Sequence, residues 1–180
     1  MRRLESGVTF EIYVGNIVDC YTDAVVIPTS STLEWEPELA QELTKRAGGS
    51  TLAAARRKVP LELGEAVVTP GGGMLARFII HIALPPASAI QTVPEDGRRN
   101  LLDATMKNSL LRCAELTVPS VGFPNLGRWL GFSTAESARL MLAALGHHWP
   151  DECALEEIHL VLRDSAEMAA FVEADNGSRT

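Results

Sequence analysis

The sequence predicts a three-layer α/β/α domain built on a central mixed, mostly parallel sheet, and three observations carry that expectation. Short strand-like apolar runs alternate with stretches of helical period along nearly the whole chain, the pattern of strand–helix–strand units. One run, Asp23-Ala24-Val25-Val26-Ile27, is almost continuously apolar, as in an inner strand covered by helices on both faces. Finally, 180 residues with 46% hydrophobic and 22% charged composition suit one well-buried core and a single domain.

The elements follow in order. Val8 to Val14 alternates apolar and polar residues, a strand with one buried face, and Gly15-Asn16 ends it. The inner strand stops at Pro28, where the first candidate functional loop begins. From Pro37 to Ala47, Leu39, Ala40, Leu43 and Ala47 fall at helical spacing, with proline early, Lys45 and Arg46 late and glycines just beyond. Ser50 starts a short helix that ends near Lys58. Strands Ala66–Thr69 and Phe78–Leu84 flank the turn Pro70-Gly71-Gly72-Gly73, and residues 85–98, without apolar period, read as a surface loop.

A helix from about Asn100 to Leu116 is followed by the strand Ser120–Phe123 and by the second candidate loop, Pro124 to Phe132. Ser133-Thr134-Ala135-Glu136 matches a capping box at the start of a helix reaching Gly146. A last strand, Ile158–Leu162, leads to a helix capped by Ser165 and running to about Val172. The domain is expected to occupy residues 1–174, with 175–180 a flexible tail.

Composition narrows the function classes. No apolar stretch approaches the roughly 20 residues of a membrane span. The two arginines at the N-terminus lack the apolar segment of a secretion signal, so a cytoplasmic location is the default expectation. Net charge −7 with pI near 5.1 disfavours DNA and RNA, and Arg56-Arg57-Lys58 and Arg98-Arg99 read as solvated faces. Cys20, Cys113 and Cys153 are widely spaced and read as buried, reduced thiols; no metal site or cofactor is implied. His81 reads as a core histidine, His147 and His148 as favourable residues at a helix C-terminus, and Asp19 and Asp23, flanking Cys20, as turn chemistry. No nucleophile–base–acid triad is identifiable, and no residue is assigned a catalytic role.

In a parallel sheet the ligand crevice lies at the carboxyl ends of the strands, where the loops after Ile27 and Phe123 belong. Gly127 and Gly131 would let main-chain amides approach a phosphate, with the positive end of the helix begun at Ser133 aimed the same way and Arg128 adding a charge-assisted contact. The same residues also read as a plain connection with a packed tryptophan. Trp35 and Trp129 either stack on a base across the crevice or pack together and shut it; both readings stay open.

Four stretches, in order and spacing, carry a likeness to a known family. They are Gly15-Asn16-Ile17-Val18 with Asp23-Ala24-Val25-Val26; Lys45-Arg46-Ala47-Gly48; Gly64-Glu65-Ala66-Val67-Val68-Thr69 with Phe78-Ile79-Ile80-His81; and Phe123-Pro124 followed by a glycine loop and Gly131-Phe132. From Val8 to Phe171 the chain resembles the macro domain family. The resemblance implies a three-layer macro domain with a cleft for ADP-ribose, adenine near the first loop and pyrophosphate between the two loops. It implies ligand contacts from Asn16, Ile17, Ser30, Ser31, Phe123, Pro124, Asn125, Gly127, Arg128, Trp129, Leu130, Gly131 and Phe132.

The departures matter equally. The family's acid after Gly15 is Asn16, and its Asn-Ala-Ala-Asn is Ile27-Pro28-Thr29-Ser30, closer to the form in a variant histone than to the hydrolytic members. Loss of the second asparagine to Ser30 implies absent or slow hydrolysis. Glu34, Glu36 and Glu38 replace a glycine run where the pyrophosphate would approach, and the second loop is one residue short, so Trp129 takes space a ribose needs. Three readings result: a noncatalytic module for ADP-ribose or a related nucleotide, free or on an ADP-ribosylated protein; an ADP-ribosyl hydrolase; and a degenerate scaffold for a protein partner.

Overall fold

The computed structural model describes residues 7–150 and 153–177 and the main chain of Arg2 and Arg3. Its strands are β1 (Arg2–Arg3), β2 (Thr9–Val14), β3 (Ala24–Thr29), β4 (Ala66–Pro70), β5 (Phe78–Ala83), β6 (Ser120–Phe123) and β7 (Glu157–Leu162). Its α-helices are α1 (Pro37–Ala47), α2 (Gly49–Arg56), α3 (Glu95–Leu116), α4 (Leu126–Trp129), α5 (Thr134–His147) and α6 (Ser165–Gly177). Among the described residues the seven strands form one sheet, ordered β1-β2-β7-β6-β3-β5-β4. The pairs β2–β7, β7–β6, β6–β3 and β3–β5 are parallel, and the two edge strands, β1 and β4, are antiparallel to their neighbours.

Alternation along β3 divides the core in two. Ala24 and Val26 face a layer that contains Leu102, Met106 and Leu110 of α3, Ala138, Met141 and Leu145 of α5, and Phe171 of α6. Val25 and Ile27 face the opposite layer, with Leu43 and Ala47 of α1 and Leu52 and Ala55 of α2. Each fully buried Leu, Ile or Phe contributes about 1.5–3 kcal/mol, so the three-layer arrangement is the one that removes both faces of β3 from water. His81 on β5 is wholly buried and hydrogen-bonded through Nε2 to Thr69 Oγ1 at 2.9 Å. Burial, reinforced by Lys58, pushes its pKa down to about 3, which keeps the ring neutral.

The structure corrects several expectations. β3 does not stop at Pro28 but continues to Thr29, because β3 pairs with β6 only at Ala24 and Val25 while its ladder with β5 runs the full strand. A missing amide is tolerable on a strand left unpaired on one side. α3 begins at Glu95, five residues before the expected start, and Ile90–Thr92 forms a 3-10 turn within the supposed loop. α6 is capped by Asp164, whose Oδ1 accepts from the amides of Ala166 and Glu167 at 2.9 and 2.8 Å, not by Ser165. It runs to Gly177, so Asp175, Asn176 and Gly177 belong to the helix; the rest of the expected tail, 178–180, lies outside the described residues. Cys20 and Cys113 are buried but Cys153 is only half-buried. Among the described residues no helix is long and apolar enough to cross a membrane.

Candidate functional site

β3 and β6 are neighbours, yet their following helices pack on opposite faces of the sheet, α1 and α2 on one and α5 on the other. The chain therefore departs in opposite directions from two adjacent carboxyl ends, the arrangement that opens a crevice in an α/β sheet. The loops after Ile27 and Phe123 do converge there. A cleft of about 120 Å³ is lined by Glu36 from the first loop, Arg128, Trp129 and Gly131 from the second, and Ala87 and Ile90 from the segment after β5. Across it, Arg128 Nη2 lies 3.6 Å from Glu36 Oε2.

The first loop folds on itself. Ser30 Oγ accepts from the amides of Thr32 and Glu34 at 3.2 and 3.0 Å and lies 3.0 Å from Thr32 Oγ1, so its hydrogen-bonding capacity is taken up inside the loop. The Ser31 carbonyl accepts from the Leu61 amide at 2.8 Å. Leu33 adopts φ +56°, a left-handed conformation disfavoured for leucine, and is compensated by complete burial. Trp35 likewise turns inward, its ring 5.6 Å from that of His81 and beneath the Arg56 guanidinium. Inward Leu33 and Trp35 leave Glu34 and Glu36 exposed at the lip.

The second loop is not an open glycine turn but the short helix α4. Asn125 caps it, its Oδ1 accepting from the Arg128 amide at 3.3 Å and from Ser137 Oγ, while Nδ2 donates to Glu167 Oε1 at 3.2 Å. Asn125 is thus a buried anchor between α4, α5 and α6. Phe123 and Pro124 are buried as well. Gly127 serves packing: a Cβ there would stand 2.1 Å from Ser137 Oγ. The amides of Arg128, Leu130, Gly131 and Phe132 all bond to carbonyls within the loop, at 3.3, 3.0, 3.1 and 3.1 Å. The amides expected to cradle a phosphate therefore close the turn instead. Gly131, at φ +72°, is the exposed glycine of the cleft, and Arg98 Nη1 holds the loop from behind by donating to the Leu130 carbonyl at 3.0 Å. The Arg128 guanidinium lies 4.4 Å above the Trp129 ring, while Phe132 is buried under Arg98 and Arg99.

The two tryptophans neither stack together nor share a wall. Trp35 joins the core on the α1 face and Trp129 packs against the core on the α5 face. Behind the second loop, Ser133 Oγ caps α5 by accepting from the Glu136 amide at 3.3 Å, but the Glu136 carboxylate pairs with Arg99 and not with the Ser133 amide. Only half of the capping box forms. At the end of β2, Asn16 Oδ1 accepts from the Val18 amide at 3.3 Å and Nδ2 donates to Glu42 Oε2 at 2.8 Å, while Ile17 is buried beside it. Sequence reading missed Glu42, Ala87 and Ile90: Glu42 is a polar position of α1 that no motif marks, and the other two lie in a segment without apolar period.

Fold and crevice together define an α/β/α domain with a cleft at a topological switch point. The sequence profile of the macro domain matches residues 26–141, and the chain belongs to that family. It is 35% identical over 147 residues to an uncharacterised protein of Aeropyrum pernix, covering 77% of this chain and 73% of that one. It is 26% identical over 172 residues to a Pantoea vagans protein named O-acetyl-ADP-ribose deacetylase 2, covering 90% and 95%. Among solved structures, an Oceanobacillus iheyensis macrodomain with ADPR superposes with TM-score 0.83 at 22% identity, over 96% of this chain and 94% of that one. The chain spans less than half the length of the mycobacterial relatives it matches.

Proposed function

We infer that this macro domain receives ADP-ribose or a related nucleotide and does not turn it over. The observation that carries the reading is the meeting of the two loops in one cleft with a pair of opposite charges, Glu36 and Arg128, spanning it. A diphosphate carries two acceptor-rich anionic groups and competes with one carboxylate for the guanidinium. About 120 Å³ accommodates a sugar or one phosphate, whereas ligands of nucleotide size occupy roughly 300–1,000 Å³. Binding therefore requires the Glu36–Arg128 pair to part. Trp129 offers a face for the sugar or base, and Glu42, held beside Asn16, supplies the carboxylate that position 16 itself lacks.

The noncatalytic part of the reading rests on Ser30, whose hydroxyl is engaged within its own loop and is not free to orient a ribose or a water. One observation favours the hydrolytic alternative: Glu36 is a carboxylate in the cleft, in reach of the role of general base once Arg128 is drawn to a ligand. Calorimetry with ADP-ribose tests the first reading. Micromolar binding that Arg128→Ala weakens at least about tenfold supports it; no heat at millimolar ligand favours the scaffold. Release of ADP-ribose from a modified protein, lost in Glu36→Gln, would establish the enzyme.

A further inference from the structure

A second group of reactive side chains lies away from the cleft, on the α1 face of the sheet where β2, β7 and β6 run side by side. The register sets Glu11 and Gly122 on either side of His159. Over this face passes the segment from the 3-10 turn Ile17–Asp19 to β3, and Cys20 settles onto Gly122, where any Cβ would come within 2.7 Å of the sulfur. Cys20 Sγ lies 3.4 Å from Tyr13 Oη and 3.4 Å from Thr22 Oγ1. Tyr13 Oη lies 3.3 Å from His159 Nδ1, and the two rings meet edge to face at 5.6 Å. On its far side, His159 Nε2 lies 3.5 Å from Glu157 Oε2. Thiol, phenol, imidazole and carboxylate thus form a chain, with β2, β7 and the 3-10 turn each contributing.

The chemistry of the chain is directional. Burial alone would raise the Cys20 thiol, but His159 and the hydroxyls of Thr22 and Tyr13 outweigh it and hold the thiol below its ordinary value. Contact with Cys20, with Glu157 assisting, raises His159 in turn. Burial, then the sulfur, keeps Tyr13 protonated, so its O–H can donate to a thiolate while its oxygen accepts from the imidazolium Nδ1–H. The other charged groups around the sulfur are Glu11 on β2, Asp19, engaged by Arg46 at 2.8 Å, and Asp23, engaged by Arg77 and Ser120. Cys113 marks the contrast: buried among apolar side chains, its thiol is pushed up. Cys20 lies one side chain deep, next to Tyr21, which is 83% exposed, and under a His159 side chain that remains 15% exposed. Cys20 itself is 3% exposed, so a reagent reaches the sulfur only by passing these two side chains.

We propose that Cys20 is a nucleophilic thiol that reacts with small soft electrophiles, hydrogen peroxide among them, and that Tyr13, His159 and Glu157 are the positioning residues that activate it. With peroxide the sulfur attacks one oxygen, the S–O bond forming as the O–O bond breaks. Sulfur is oxidised by two electrons to the sulfenic acid, and the departing hydroxide becomes water with the proton that the thiol had given to His159. The test is alkylation of the full chain by iodoacetamide across a pH series, read peptide by peptide, with Cys153 and Cys113 in the same sample as references. Near neutral pH, Cys20 is expected to label about tenfold faster than Cys153, with Cys113 unlabelled. His159→Gln and, separately, Tyr13→Phe should move the Cys20 profile to higher pH while leaving the Cys153 rate alone, and dimedone should trap a sulfenic acid at Cys20 after peroxide. Labelling of Cys20 only after denaturation, or a profile unmoved in both variants, overturns the proposal.

Discussion

The loop after β3 and the loop after β6 leave the same edge of the sheet, yet they are held by different means. The first is anchored by apolar side chains, Leu33 and Trp35, driven into the α1 face, and its backbone tolerates a left-handed leucine to get them there. The second is anchored by a polar network, Asn125 to Ser137 and Glu167, around a glycine against which α5 packs directly. Because the amides of Thr32, Leu33 and Glu34 in the first loop and of Arg128, Leu130, Gly131 and Phe132 in the second are bonded within their own loops, these stretches do not offer the row of free amides that a phosphate loop needs. What remains for a ligand is side-chain chemistry, and the two loops supply it with opposite sign, Glu36 against Arg128.

The largest effect expected from breaking this comparison is on the first loop. Trp35→Ala should cost about 3–5 kcal/mol in denaturant unfolding, because a buried indole and its contact with His81 are lost together. Trp35→Phe should retain most of that stability, since the indole N–H has no partner among the described residues. In the second loop, Gly127→Ala should cost about 1–3 kcal/mol by forcing α4 away from Ser137, read in the same unfolding experiment. The smallest effect concerns the contact between them. Glu36→Gln should tighten ADP-ribose binding about two- to fivefold in calorimetry, the scale of one half-exposed ion pair. A weaker ligand complex in that variant would mean that Glu36 is a ligand group and not a competitor.

Much of the framework was legible because it is written locally. The bounds of α1 and β6 follow from spacing, proline, glycine and charge that any reading of the chain can see, and Ser133 caps α5 as its position implies. What escaped was decided at a distance. Gly-Arg-Trp-Leu-Gly looks like a turn, and it becomes a helix because Asn125 and Ser137 grip it from both sides. Pro28 looks like a strand end, and it is not one because β6 leaves β3 early. Glu36 was expected to repel a diphosphate, but its pairing with Arg128 emerges only when two loops from different thirds of the chain meet. The Cys20 neighbourhood was equally invisible, since Tyr13 and His159 become neighbours only through the β2–β7 register.

The seat of Gly127 on Ser137 has a mechanical consequence. With no side chain between them, α4 and α5 move as one body, and that body is fastened to the sheet through β6 and to α6 through Asn125. The wall bearing Arg128 is therefore stiff. Any widening that admits a nucleotide must come from the opposite lip, where the Glu36 side chain makes no capping bond to its own helix and swings outward once its pairing with Arg128 is broken.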